Sequence, residues 1–411
     1  ELSFHDDRME PVPYDRPADL VAISVETYTA RRAYQIASEY RARGVPVVMG
    51  GFHATLCPDE VATYAESVVV GEAENVWPEV VDDFRHGRLA PRYEAGERPS
   101  LTGLRYDRGR FRDRPYLPIG LVETGRGCRF RCEFCAVQRF YGATHRVRPV
   151  DDVVADIMER RHLVRLFFFV DDNFAANIPA AKALLRALVP LRIRWVTQLS
   201  VHAAYDEEFL SLLVASGCQG VLIGFESLDP VTLGHMNKSF AAARGGYEEA
   251  LANLRRHGIR VYATFVFGYD RDTAASVERS VDFAIEHRFY MAAFNHLTPF
   301  PGTALYERVL AEDRMTHPRW WLDESYRYNT VPFRPQAMSA ETLRRACIGA
   351  RRRFYGLRSI GHRALDPVNA AGAFMFANFF LINLMHRREI DVRDRHPLGD
   401  ASWNRPLIAV Q

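Results

Sequence analysis

No stretch of this sequence is apolar for the roughly twenty residues that a membrane-spanning helix needs, and no amino-terminal segment reads as a signal peptide. Net charge is nearly absent: +2 over 411 residues gives neither nucleic acid nor an anionic membrane an electrostatic claim as the main partner. Cysteine is scarce, with six in all, too few for the disulfide framework of a secreted protein, so a reducing, cytoplasmic setting is expected. An initiator methionine is lacking too, and the opening "ELSFHDDRMEP" reads like the middle of a longer chain. What is present is ordinary for a globular protein, with 48% apolar and 25% charged residues, and the length suffices for two domains.

The order of elements implies an α/β fold. Within residues 1–90, β-rich runs at 19–27, 45–55 and 67–75 alternate with helical stretches at 30–44, 58–66 and 76–87, the pattern of an open, Rossmann-like parallel sheet covered on both faces. The sheet is short by its first strand. Residues 91–117, rich in Arg, Pro, Gly and Asp, read as a linker with a small hairpin. From 118 to 335 the alternation restarts, with strand runs at 119–125, 163–173, 193–201, 220–227, 259–270 and 291–300. Six such units suit a partial (β/α)6 barrel better than a full eightfold one. Residues 336–411 form a helical carboxyl-terminal region with a basic helix and the apolar "GAFMFANFFLINLM" at 372–385. That stretch is either packed within the protein or in contact with a lipid-like substrate or a membrane surface.

Half of the cysteines crowd into "GRGCRFRCEFC" at 125–135. Cys128, Cys132 and Cys135 are spaced C-x3-C-x2-C at the end of the first barrel strand. A zinc site normally takes four protein ligands, so three thiolates leave zinc with a remote fourth ligand, three unrelated thiols, or an iron–sulfur cubane with one open corner.

The motif, with Phe134 directly before Cys135, resembles the signature of the radical S-adenosylmethionine (SAM) enzymes, as does its place after the first strand of a partial barrel. The resemblance implies a [4Fe–4S] cluster on Cys128, Cys132 and Cys135, whose open iron chelates SAM and cleaves it to a 5′-deoxyadenosyl radical. It implies that Asp171 or Asp172 meets the methionyl ammonium, with helix capping by Asp172 or Asn173 as the alternative. Gln198 and Ser200 resemble the contacts to the methionyl carboxylate or ribose, Glu226 and Ser227 the ribose motif, and Gly268 and Pro301 the segments around the adenine. Tyr141 and His296 are expected at the mouth, against substrate.

The front sheet resembles the cobalamin-binding domain of one radical SAM subgroup. The resemblance rests on "AISVET" with Ser24 and Thr27, "GGFHAT" with Gly50, Gly51, His53 and Thr55, and "VVVGEAEN" with Gly71, Glu72 and Glu74. His53 is expected near the nucleotide tail or as a satisfied loop histidine. The family's first strand and its loop below the corrin are not in this sequence. With both cofactors, the implied reaction is methylation of an unactivated carbon. The alternatives are a cobalamin-independent cyclisation, oxidation or rearrangement, and a non-catalytic metal- and nucleotide-binding module. The implied partners are a small-molecule substrate, for which apolar character is one option, and an electron donor such as flavodoxin or ferredoxin.

Overall fold

The computed structural model describes residues 1–111, 114–241 and 245–410; residues 112–113 in the expected linker, 242–244 in the expected barrel and 411 lie outside the described residues. Four strands, β1 (Val21–Ser24), β2 (Val47–Gly50), β3 (Ser67–Val70) and β4 (Arg92–Glu94), form a parallel sheet in that order. The central pair is buried on both faces. Val47, Met49 and Val68 pack with Tyr34 and Ala37 of the helix Ala30–Arg41, while Val48 and Val69 pack with Val80 of the helix Trp77–Arg85. Alternate residues of one strand therefore serve opposite covers, as the period of two requires. The residues before β1 form no strand.

Among the described residues of 91–117, the expected hairpin is not formed. Instead Arg92–Glu94 extends the front sheet as a parallel edge strand. Its single apolar contribution is Tyr93, which packs on Val80 and donates its hydroxyl to Asp83 Oδ2 at 2.8 Å.

The second sheet has six parallel strands in chain order: β5 (Ile119–Val122), β8 (Leu166–Phe169), β9 (Trp195–Leu199), β10 (Cys218–Glu226), β11 (Arg260–Phe267) and β12 (Met291–His296). With helices between successive strands, this is the expected partial barrel. Phe167, Phe169, Trp195, Phe225 and Phe265 are buried with Val153, Ile157, Leu185 and Phe209 of the surrounding helices. Their neighbours Phe168, Val196, Gln198, Leu222, Tyr262 and Thr264 are half-buried and line the inner face. At the free edge of β5, Arg160 Nη2 donates to Leu121 O at 2.9 Å, and Arg148 Nη1 donates to Glu123 O at 2.8 Å. Both guanidinium groups are buried, so unpaired edge carbonyls are satisfied from within.

The expected first strand, 119–125, is split in two. Thr124 turns aside to donate N–H and Oγ1 to the Asp171 carboxylate, and the chain continues as β6 (Gly125–Gly127), antiparallel to β7 (His145–Val147). The close approach needs glycine. A Cβ at Gly125 would stand 2.6 Å from Arg146 O, and one at Gly127, where φ is +86°, would collide with Thr144 O. Helices Ala340–Phe354, Leu357–Ala364, Pro367–Ala370 and Ala373–Arg393 complete the chain.

Candidate active site at the barrel mouth

The ribbon β6–β7 carries the cysteine loop, which runs from Cys128 to Cys135 and enters the helix Ala136–Tyr141. All three thiols are free and half-buried. Burial pushes the Cys132 thiol up to about 12, with Cys135 and Cys128 adding to the effect, and pushes the Cys135 thiol upward, with Cys128 adding to it. Metal binding at this loop therefore displaces protons. Among the described residues, no three His, Cys, Asp or Glu side chains converge closely enough to hold a single metal ion. Three thiolates in one loop match three corners of a cubane, whereas a tetrahedral zinc ion normally takes four protein ligands.

Glu133 fixes the middle of this loop across the mouth. Its N–H donates to Met236 O at 3.0 Å, its carbonyl accepts from Leu305 N at 3.2 Å, and its carboxylate accepts from Arg308 Nε at 2.8 Å and the Tyr269 hydroxyl at 3.3 Å. The loop is thus tied to the segments that follow β10, β11 and β12. Phe134 is half-buried and packs against the barrel core.

The residues after β8 divide their work by direction. Asp171 is buried on Thr124, and burial pushes its carboxyl up to about 7 against the hydrogen bonds from Thr124. Asp172 accepts from Gly127 N at 2.9 Å, directly under Cys128. Asn173 Nδ2 lies 3.6 Å from Cys128 Sγ and donates to Ser200 Oγ at 3.0 Å, while its Oδ1 accepts from Ser200 N. Neither Asp172 nor Asn173 caps a helix; the cap of Ile178–Leu188 is Asn177. Gln198 donates to Asp171 O at 2.6 Å. Of the two carboxylates, Asp172 is the one beside the cluster loop.

Glu226 ends β10 at a register shift, with φ at +62°. Its buried carboxylate accepts from Lys238 Nζ at 2.6 Å, and a Cβ at Gly224 would collide with it. Ser227 is buried beside it, its hydroxyl accepting from Asp229 N. Lys238 escaped the sequence reading, although a signal existed: the chain has only two lysines, Lys182 and Lys238, against 51 arginines. Gly268, with φ at +120°, is closed in by Leu343 and Phe333, and Pro301 is buried in the turn after β12. The His296 ring bonds Leu297 O at 3.1 Å, and burial holds its pKa down at about 4, so it is neutral near pH 7. Tyr141 is half-buried beneath Arg98 and edge-on to Phe52. A cavity of about 1680 Å³ runs along the free edge of β5, lined by Tyr106, Phe111, Leu121 and Phe168 among others, and includes none of the cysteine-loop residues.

The carboxyl edge of the front sheet faces this mouth at three points. After β1, Tyr28 donates its hydroxyl to Thr298 Oγ1 at 3.2 Å. After β2, Phe52 stacks on Phe140 at 4.3 Å. After β3, Glu72 pairs with Arg126 at 2.7 Å and Arg146 at 2.5 Å, and Glu74 pairs with Arg126 at 2.7 Å. Glu72 and Glu74, expected at the corrin, thus bind the ribbon that carries the cysteines. His53 and Thr27 are buried together: the ring bonds Thr27 Oγ1 at 3.2 Å and Glu60 Oε1 at 3.1 Å, which is the satisfied histidine. Thr55 braces the two loops, donating to Gly51 O and accepting from Gly71 N at 2.9 Å. Ser24 is exposed, while Gly50, Gly51 and Gly71 are half-buried. A Cβ at Gly50 or Gly71 would meet nothing nearer than 3.5 Å. Ser24 and these glycines contribute no bulky side chains at the carboxyl edge of a parallel sheet, where such sheets take ligands, and in that respect they fit a flat ligand such as a corrin.

Residues 122–284 match the model of the radical SAM superfamily, and residues 2–81 match that of the B12-binding domain. Bacteriochlorophyllide d C-12(1)-methyltransferase of Chlorobaculum tepidum is 32% identical over 93% of this chain and 84% of its own length. Bacteriochlorophyllide d C-8(2)-methyltransferase of the same organism is 31% identical over 77% of this chain and 73% of its own length. In fold, the chain resembles the radical SAM methyltransferase TsrM from Kitasatospora setae, solved with cobalamin and a [4Fe–4S] cluster, with a TM-score of 0.62 at 18% identity over 92% of this chain and 89% of the other. With the cysteine loop, the six-stranded barrel and the front sheet set against its mouth, these likenesses place the chain in the radical SAM superfamily, in the group of enzymes that carry a B12-binding domain and use a [4Fe–4S] cluster, SAM and cobalamin.

Proposed function

We propose that this protein transfers a methyl group to an unactivated carbon of a large, largely apolar, planar substrate of the tetrapyrrole class. One observation carries the reading: the carboxyl edge of the front sheet meets the cysteine-bearing mouth through Tyr28–Thr298, Phe52–Phe140 and Glu72–Arg126. A cofactor lying on that edge would face the radical site across a short gap. The two bacteriochlorophyllide d methyltransferases supply the substrate class.

When bound, the cluster and SAM supply a 5′-deoxyadenosyl radical, and cobalamin supplies the methyl carrier. The chain's own residues position these groups. Cys128, Cys132 and Cys135 hold the cluster; Asp172 and Asn173 fix the loop's entry through Gly127 N and Cys128 Sγ, and Glu133 fixes its middle. Glu226, held by Lys238, offers a carboxylate to ribose hydroxyls, with Gln198 and Ser200 alongside and Gly268 and Pro301 shaping the adenine end. Ser24, Gly50, Gly51 and Gly71 border the corrin, and Tyr141 and His296 meet the substrate. No side-chain acid or base is required for a hydrogen-atom abstraction. Six free cysteines suit a reducing cytosol, where flavodoxin or ferredoxin would donate the electron.

The test is anaerobic turnover of the cobalamin-loaded, cluster-reconstituted protein with reduced flavodoxin as electron donor, methyl-deuterated SAM and bacteriochlorophyllide d. The expected result is a product carrying the deuterated methyl group together with 5′-deoxyadenosine. Deoxyadenosine with a changed but unmethylated product would replace this reading with cyclisation, oxidation or rearrangement. No SAM cleavage at all would leave only a binding module.

A further inference from the structure

The helix Ala373–Arg393 is apolar on nearly all sides over its first fourteen residues, yet the protein covers only one of its faces. Met375 and Phe379 are buried against Tyr290, Ile360 and Ala364. The opposite face is open: Phe380 is 36% exposed, Leu381 57%, Leu384 46% and Met385 49%. With Ala377, also exposed, these positions repeat at three and four residues and form one continuous stripe. No charged residue occurs from 373 to 385. The stripe ends at Arg387 and Arg388, both exposed and neither in an ion pair among the described residues. The neighbouring helix Leu357–Ala364 begins with a similar combination, an exposed Leu357 followed by an exposed Arg358. The near-zero overall charge conceals this bias, because residues 340–411 hold twelve arginines and six acidic residues.

We propose that this face docks on the surface of an anionic lipid bilayer, with the Leu381–Leu384 stripe in the acyl boundary and Arg387 and Arg388 among the headgroups. A second copy of the chain fits the face less well. Antiparallel pairing would set Arg387 and Arg388 against the uncharged first turns of the partner helix, and parallel pairing would set them against each other. The antiparallel arrangement offers no carboxylate, and in the parallel one the nearby Glu389 and Asp391 are already paired with Arg393 and Arg352, whereas anionic headgroups neutralise both cations. The helix does not span, since no helix among the described residues is long and apolar enough to cross a membrane. Docking would bring the enzyme to where apolar substrates partition, but it is independent of the methyl-transfer reading.

The experiment is vesicle flotation of the full chain with phosphatidylglycerol–phosphatidylcholine vesicles and with phosphatidylcholine alone, at low and high salt. The wild type should float with the anionic vesicles and much less with the neutral ones. The double variant Leu381→Glu/Leu384→Glu should lose on the order of tenfold or more in partition. Arg387→Glu/Arg388→Glu should lose the preference for anionic lipid. Cluster absorbance should persist in both variants, showing that they fold. Failure of wild type to float with either vesicle overturns the proposal. So does a dimer in light scattering that Leu381→Glu/Leu384→Glu converts to monomer, which would assign the face to a second copy.

Discussion

Replacing Glu72 with glutamine should uncouple SAM cleavage from methyl transfer. The side chain is buried where the front sheet meets the ribbon, and its carboxylate accepts from Arg126 Nη1 at 2.7 Å and from Arg146 Nη2 at 2.5 and 2.6 Å. Hydrogen bonds between charged groups contribute roughly 1.5–3 kcal/mol each. The loss is unequal. Arg126 keeps Glu123 at 2.8 Å and Glu74 at 2.7 Å, whereas Arg146 keeps only the carbonyl of Pro99 at 2.7 Å. A cost near 2–4 kcal/mol follows, below the worst case for a buried charge stripped of its partner. At about 1.4 kcal/mol per tenfold, that corresponds to a roughly thirty- to several-hundredfold weakening of the front-sheet-to-ribbon contact. The cysteine loop and the barrel strand ends are untouched, so 5′-deoxyadenosine should still form. Methylated product should fall by tenfold or more, because the carrier is no longer held over the mouth. The assay is the ratio of methylated product to deoxyadenosine in one reaction. Arg146→Gln should reproduce the effect, and the double variant should be little worse than either single one. Equal loss of both products would refute the coupling argument. Loss of corrin on gel filtration from Glu72→Gln but not from Arg146→Gln would mean that Glu72 binds the cofactor itself.

Three further outcomes follow from local geometry. Lys238→Met strands the buried Glu226 carboxylate and should destabilise the barrel by about 3–5 kcal/mol in urea unfolding, with much of the loss recovered in Lys238→Met/Glu226→Gln; additive losses would show that the two act separately. His296 has its folded pKa lowered to about 4 by burial, so the unfolded chain binds its proton more readily, and the resulting stability is complete above about pH 6.5 and lost as pH falls toward 4. His296→Gln should flatten that part of the stability–pH curve, and an unchanged slope would assign it to other groups. Ser24→Trp, at an exposed position ending β1, should abolish corrin retention on gel filtration while leaving the iron content intact; a corrin that stays bound would put the ligand elsewhere.

Most of the barrel strands were legible as β-branched or aromatic runs bounded by turn residues, and "LFFFV" or "VYATFVF" has no competing helical reading, whereas Met-Ala-Ala-Phe-Asn-His of β12 was legible from its place in the alternation. The ribbon was not. Gly-Arg-Gly and His-Arg-Val carry no apolar alternation, and they pair only because two glycines let the backbones approach. The fourth front strand, Arg-Tyr-Glu, offers one apolar residue and depends on what Tyr93 finds to pack against. The cysteine loop was fully legible as a motif, but its anchorage was not. Glu133 lies inside the motif, while its partners Met236, Tyr269, Leu305 and Arg308 come from segments more than a hundred residues away. Likewise, the sequence sets Asp171 beside Asp172 with no sign of which faces the loop; the strand direction at the end of β8 sends one to Thr124 and the other to Gly127.

The front loops present a different ambiguity. A hydroxyl or carboxylate at a strand's carboxyl end can bind a ligand or bind the neighbouring loop, and the residue types are the same for both tasks. Thr27, Thr55, Glu72 and Glu74 are engaged within the protein, which leaves the surface opposite the mouth to Ser24 and the glycines. Those glycines are not interchangeable. At Gly51 φ is +100°, and an added Cβ would stand 3.0 Å from Val25 N and O, so a side chain there strains the backbone whether or not a ligand is present. At Gly50 an added Cβ would meet only Val69, at 3.6 Å, in ordinary contact. Bulk at Gly51 therefore reports on the turn that joins β2 to its helix, and bulk at Ser24 reports on what approaches the sheet edge. The same surface that resembles a cobalamin site in sequence is, in three dimensions, a joint built from carboxylates and guanidinium groups with a small-residue cradle beside it. The joint sets how far that cradle stands from the cysteines.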